Sequence, residues 1–200
     1  MDAVALASYA LYLALAFGFR SIVQLRRSGD AGFRGIGGTV GSAEWVAGVL
    51  FAAALILGVA APAMALLDLV EPLALDRFPL HIVGVVLFLV GLAATLGAQL
   101  AMGRSWRIGV DASERTELVT HGPFAWVRNP IFSAMLPTSL GLVLMVPSWL
   151  AVTGIVALLF ALELQVRVVE EPYLRRVHGE AYAQYEARVG RFVPHLGRRG

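Results

Sequence analysis

Cysteine is absent from this chain, and so is lysine: all 16 basic residues are arginine. Without a thiol there is no disulfide framework, thiolate metal site, cysteine nucleophile or prenylation signal. The missing lysine reads as codon bias rather than chemistry. Charge is scarce as well. Only 15% of residues are charged against 58% hydrophobic, with a mean hydropathy of +0.73 and a formal net charge of +2. These values exclude an ordinary soluble globular domain. The charges cluster between long apolar runs, which is the pattern of a polytopic all-α membrane protein. Helices satisfy their own backbone groups in lipid, and an open sheet does not. The N-terminus has no basic region or clear cleavage site, so its apolar stretch is expected to be a retained helix. His121 and His178 lack metal-ligand spacing, and neither a metal nor a nucleic-acid partner is expected.

Five spans can be drawn. The first covers about 3–23, and a glycine-rich connector at 35–41 leads to a second at about 43–67. That connector follows no strand and lacks the full dinucleotide fingerprint, so it reads as a flexible link. A third span covers about 79–101, with Gly84 and Gly91 on one face, where small residues let helices approach closely. Beyond a polar segment at 102–129, apolar stretches at 131–146 and 149–166 flank Pro147-Ser148. A break that short predicts an antiparallel hairpin. Its first arm is short for a crossing and holds Pro137, so tilt or a kink is expected. The last stretch, 172–189, carries Tyr182, Tyr185 and Val189 on one helical face and is expected along the membrane surface. Residues 1–101 thus read as a three-helix membrane region. Residues 102–200 read as loop, hairpin and C-terminal helix, and the two parts together as one domain.

Arginine distribution supports this count. Segments 20–42, 102–130 and 167–200 hold four, four and seven arginines, whereas 68–78 holds one and the hairpin tip none. The positive-inside rule then puts the N-terminus outside and the C-terminus in the cytoplasm of a cell membrane. Both polar stretches, 118–132 and 167–194, fall on the cytoplasmic side.

The residues that can carry chemistry lie in those stretches. Arg167, Glu170 and Glu171 share a helical face at the end of the last span, and Glu163 lies one turn deeper. Ionisable groups at that depth line a cavity or pair with one another, and an ion pair that ends the helix fits equally. Pro130 suits a first helical turn, which makes Asn129 the N-cap or part of a ligand site built on free N–H groups. Phe124, Trp126 and Phe132 gather around the Gly122-Pro123 turn, either as an interfacial belt or as rings for an adenine or a cation.

Jointly these stretches resemble the isoprenylcysteine carboxyl methyltransferase and phospholipid methyltransferase superfamily of integral membrane enzymes. The shared pattern is Leu-Val-x-x-Gly-Pro, Arg-x-Pro, a hydrophobic hairpin, Glu-Glu-x-x-Leu and a C-terminal Gly-x-x-Tyr-x-x-Tyr. It is met here by Leu118, Val119, Gly122, Pro123, Arg128, Pro130, Glu170, Glu171, Leu174, Gly179, Tyr182, Tyr185 and Pro194. The likeness covers about 103–196. It implies S-adenosylmethionine as cofactor, bound by Thr116, Glu117, Leu118, Val119, Phe124, Arg128, Asn129, Pro130, Ile131, Phe132, Glu170 and Glu171. It also implies catalytic roles for Arg167 and Glu170. Asn129 stands where the family has His, and Phe124 and Phe132 where it has Tyr, which leaves the methyl acceptor open. The expected activity is methyl transfer to a small lipophilic or lipid-linked acceptor, such as a carboxylate, at the cytoplasmic face. The alternatives are an NADPH-dependent sterol-type reductase and a non-catalytic membrane scaffold.

Overall fold

In the computed structural model, residues 1–29, 31, 35–103 and 118–198 are described. The apolar runs form helices where periodicity and length put them. Helix α1 (Asp2–Leu13) passes through a π-helical turn, Ala14–Phe19, into α2 (Arg20–Ser28). Then follow α3 (Ala43–Leu66), α4 (Phe78–Met102), α5 (Pro130–Met145) and α6 (Trp149–Leu164). A second π-helical turn, Gln165–Glu170, joins α6 to α7 (Glu171–Arg188). The described residues contain no named strand, only an isolated parallel bridge between Val127 and Gly190. Local chemistry sets several starts. The hydroxyls of Ser42 and Ser148 accept the Trp45 and Ala151 N–H groups at 3.2 and 3.3 Å, and proline opens the first turns of α4 and α5.

The helices Asp2–Arg26, Ala43–Leu66, Phe78–Met102 and the one beginning at Trp149 are long and apolar enough to cross a membrane. The chain is a multi-pass integral membrane protein. Helix α5, with 16 residues, runs through Pro137 as one helix rather than breaking there. At 1.5 Å per residue it rises about 24 Å, short of a hydrocarbon core of about 30 Å. The helix from Trp149 has the opposite excess. It continues until Gly179, whose φ of 49° leaves helical geometry, and so outruns the core. The helix from Trp149 is therefore longer than one crossing requires.

Close backbone contact builds the bundle. A Cβ on Gly84 would lie 2.8 Å from the Gly141 carbonyl oxygen, and one on Gly91 would lie 2.7 Å from the Thr138 nitrogen. Helices α4 and α5 touch through these notches, as the spacing of Gly84 and Gly91 predicts. Helix α6 leans instead on α3, where a Cβ on Gly154 would meet Leu57 Cβ at 3.3 Å. The two arms of the hairpin thus rest mainly on different partners. Helix α1 packs Ala5, Tyr9 and Tyr12 against Phe88, Leu142 and Met145.

Two ends follow from the contacts. At one, the Leu73 N–H donates to the Pro147 carbonyl at 2.7 Å, joining the α3–α4 loop to the hairpin tip. At the other, Arg20 donates to the Gly103 carbonyl and the Tyr185 hydroxyl to the Phe124 carbonyl, each at 2.6 Å. Both polar stretches sit at this second end.

Candidate active site

The C-terminal segment from Gly190 to Gly197 is a strap stitched to the start of α5. Arg128 and Asn129 donate their backbone N–H groups to the Gly190 and Arg191 carbonyls at 2.8 and 3.1 Å. The Ser133 hydroxyl bonds the Phe192 carbonyl at 2.8 Å. Asn129 occupies the cap position of α5 but makes no side-chain cap bond. Its amide donates to the Arg191 carbonyl at 3.1 Å, so it fastens the strap instead of capping the helix.

Beneath this strap lies a buried ion network. Glu171 accepts from Arg128 at 2.9 Å, from Arg191 at 2.6 and 3.0 Å, and from Arg175 at 3.0 Å. Glu186 accepts from Arg175 at 2.8 and 3.1 Å and lies 3.4 Å from Arg128. Arg128 donates further to the Gly197 carbonyl at 3.0 Å. The hydrogen bond to Glu171 holds the Arg191 guanidinium above the ordinary arginine range. Buried charges persist only when paired this fully.

Against the network opens a cavity of about 400 Å³. That volume lies in the range of small-molecule sites, roughly 300–1,000 Å³. One end is lined by Leu118, Val119, Phe124, Arg128, Asn129, Pro130, Ile131, Phe132 and Glu170. The structure thus brings together nine of the residues singled out in the sequence. Thr116 and Glu117 lie outside the described residues. Glu171 is not among the residues that line the cavity: it is 1% exposed and committed to the ion network. Arg167 does not line it either. Its guanidinium pairs with Glu163, one turn back on the same helix, and both side chains are about half exposed.

The other end of the cavity comes from the N-terminal helices. Tyr12, Phe17, Phe51, Leu55 and Gln99 line it with Met135 and Leu162. Sequence reasoning missed these positions because apolar periodicity reads the same for a core and for a cavity wall. Ile36 was missed too. The connector at 35–41 is part of the lining, and Ile36 covers Gly48, whose added Cβ would meet it at 2.7 Å. Both π-helical turns border the cavity, through Phe17 on one and Gln165 and Glu170 on the other. Such turns are rare and re-aim side chains at functional positions.

The charged lining residues, Arg128 and Glu170, lie at the strap end, and the rest of the lining is mostly apolar. A carboxylate and aromatic faces at the strap end suit a cationic group, while the helix-lined end suits hydrocarbon. Fold and cavity define a multi-pass membrane protein with one ligand-sized cavity among its helices. The family described as phospholipid methyltransferase matches residues 79–181, just over half of the chain, and the chain belongs to it. It is also similar to the cobalt-zinc-cadmium resistance protein CzcN of Cupriavidus metallidurans, at 36% identity over 104 residues. That match spans 50% of this chain and 47% of CzcN, about half the length of each. Among solved structures, the eukaryotic intramembrane Ras methyltransferase isoprenylcysteine carboxyl methyltransferase shares the fold. The TM-score is 0.64 at 19% identity, over 96% of this chain and 66% of that one.

Proposed function

We propose that this protein transfers a methyl group from S-adenosylmethionine to a lipophilic or lipid-linked acceptor at the cytoplasmic face of the cell membrane. One observation carries the reading: a single cavity joins the strap end, bearing Glu170, Asn129 and the Leu118–Val119 backbone, to an apolar chamber between helices. The residues suit the cofactor. Glu170 and the rings of Phe124 and Phe132 suit positive charge. Bound there, the cofactor supplies an electrophilic methyl group on a sulfonium.

The chain's own contribution is to position donor and acceptor and to exclude water. Glu170 faces the cofactor side, Asn129 and Ser133 hold the strap closed, and the Arg–Glu network fixes the turn from Arg128 to Phe132. Arg167, held by Glu163 outside the lining, is assigned no contact with the reacting groups.

The test is binding of S-adenosylmethionine and its demethylated product to purified protein in nanodiscs, followed by labelled-methyl transfer into a native lipid extract. Saturable binding and a labelled lipid product are expected. Binding of NADPH alone would replace this reading with a reductase, and binding of neither would leave a scaffold. Orientation is tested separately by reporters fused after Asp76 and at the C-terminus, expected outside and inside respectively.

A further inference from the structure

Deeper in the bundle lies a second cavity, of about 20 Å³, and it continues the line of the first. On α3 and α5, Phe51 and Phe132 line the large cavity. Gly58 and Ser139, each seven residues further toward the hairpin tip, line the small one. Helix α6 runs the other way, and there the step is from Leu162 back to Ile155. From the first π-helical turn into α1 it is from Phe17 back to Tyr9. On all four helices the small cavity thus sits about two turns beyond the large one, away from the strap.

Tyr12, Leu55 and Met135 line both cavities and so form the partition between them. Tyr12 is its fixed side, because its ring lies 6.0 to 6.2 Å from the rings of Tyr9, Phe17 and Phe88. Met135 is 3% exposed and packs with Ala54, Leu158 and Leu162, so it fills the neck rather than flanking an open wall. Its unbranched side chain suits an irregular gap of that kind.

A hydrocarbon tail gains little on moving from lipid into this chamber, because lipid is as apolar as leucine. Choice between tails then rests on fit. Arg128 and Glu170 lie at the strap end, so an acceptor whose head meets the cofactor there points its tail at the partition. We propose that Met135, with Leu55 beside it, is the stop that sets the length of the acceptor's hydrocarbon tail. This deepens the methyl-transfer reading above and rests on it for the place of the head group. The turn of α5 from Met135 to Ser139 rises about 5.4 Å, the length of about four methylenes in an extended chain.

The experiment uses the full chain in nanodiscs and a series of straight-chain primary alkanols, hexanol to hexadecanol, each with a diazirine on its last carbon. Photolabelled positions are read by peptide mass spectrometry, which needs neither cofactor nor turnover. In wild type, label is expected at Leu55 and Met135 and not at Ser139 or Ile155. Met135→Ala is expected to raise label at Ser139 and Ile155 about tenfold or more, as relief of overpacking by a methylene allows. Met135→Leu keeps the volume and is expected to label like wild type. Leu55→Ala opens the same neck from a partly exposed position and gives the same shift where Met135→Ala fails to fold. A variant that is merely destabilised loses label everywhere instead of moving it. In labelled-methyl transfer into native lipid extract, the products of Met135→Ala are expected to carry tails about four carbons longer than those of wild type.

Label at Ser139 in wild type, none there in either alanine variant, or none anywhere in the cavity overturns the stop. Methyl transfer with unchanged tail lengths overturns it as well and leaves the methyl-transfer reading intact. The expected shift in label without any methylated product supports the stop and removes the methyl-transfer reading.

Discussion

The adjacent glutamates of the 170–171 pair are expected to fail in different ways when neutralised. Glu171 accepts four hydrogen bonds from three guanidiniums, with both oxygens engaged. Glu171→Gln keeps one oxygen and replaces the other with an NH₂ that faces donors. Two charge-assisted bonds go, and three guanidiniums are left with Glu186 as the one carboxylate of the network. Removing one partner from a buried ion pair costs about 3–5 kcal/mol. The strap carries Arg191, so the loss also frees the segment that holds Asn129 and Ser133 in place. Glu170→Gln removes a carboxylate that lines the cavity and takes no part in the four hydrogen bonds at Glu171. It is expected to leave unfolding close to wild type while weakening S-adenosylmethionine binding at least tenfold, the effect of about 1.5–3 kcal/mol for a charged hydrogen bond. The assay pairs thermal unfolding in detergent with calorimetric cofactor titration. The reasoning is refuted if Glu171→Gln unfolds like wild type, or if Glu170→Gln destabilises the fold as much as Glu171→Gln.

Other expectations are narrower. Gly91→Val drives methyl groups into the Thr138 backbone and should cost about 1–3 kcal/mol, read as a lower unfolding temperature. Tyr185→Phe removes the 2.6 Å bond to the Phe124 carbonyl and leaves a buried acceptor unmet. It should cost about 1–3 kcal/mol and loosen cofactor binding, and unchanged affinity would argue against Phe124 in the site. Asn129→Ala removes one bond between strap and α5. It should cost about 1 kcal/mol and increase protease cleavage near residue 192, seen by mass spectrometry of limited digests.

Much of the architecture was legible because each level of the sequence pointed the same way. Apolar run lengths, Pro130 at a first turn and Gly84 with Gly91 all agree with the helices and contacts observed. The arginine counts group the same segments that the contacts bring to one end. What was not legible has a common cause. In a bundle that is apolar throughout, periodicity does not separate Phe51 or Leu55 in a cavity wall from Ala5 in the core. Gln99 did carry a signal, as a lone amide inside an apolar run, which is expensive in lipid. The division of labour between Glu170 and Glu171 was invisible. Adjacent on the helix, the two side chains point about 100° apart. Glu171 thus meets Arg128, Arg175 and Arg191 while Glu170 lines the cavity, and which of the two does which depends on packing that the residue pair alone does not encode.

The strap also imposes an order on assembly. Its residues, Gly190 to Gly197, supply backbone or side-chain partners to Arg128, Asn129, Ser133 and Glu171, all of which precede it in the chain. Synthesis runs from the N-terminus, so every apolar helix has left the ribosome before the strap does. The membrane bundle is laid down first, and the start of α5 and the arginine–glutamate network are fastened last.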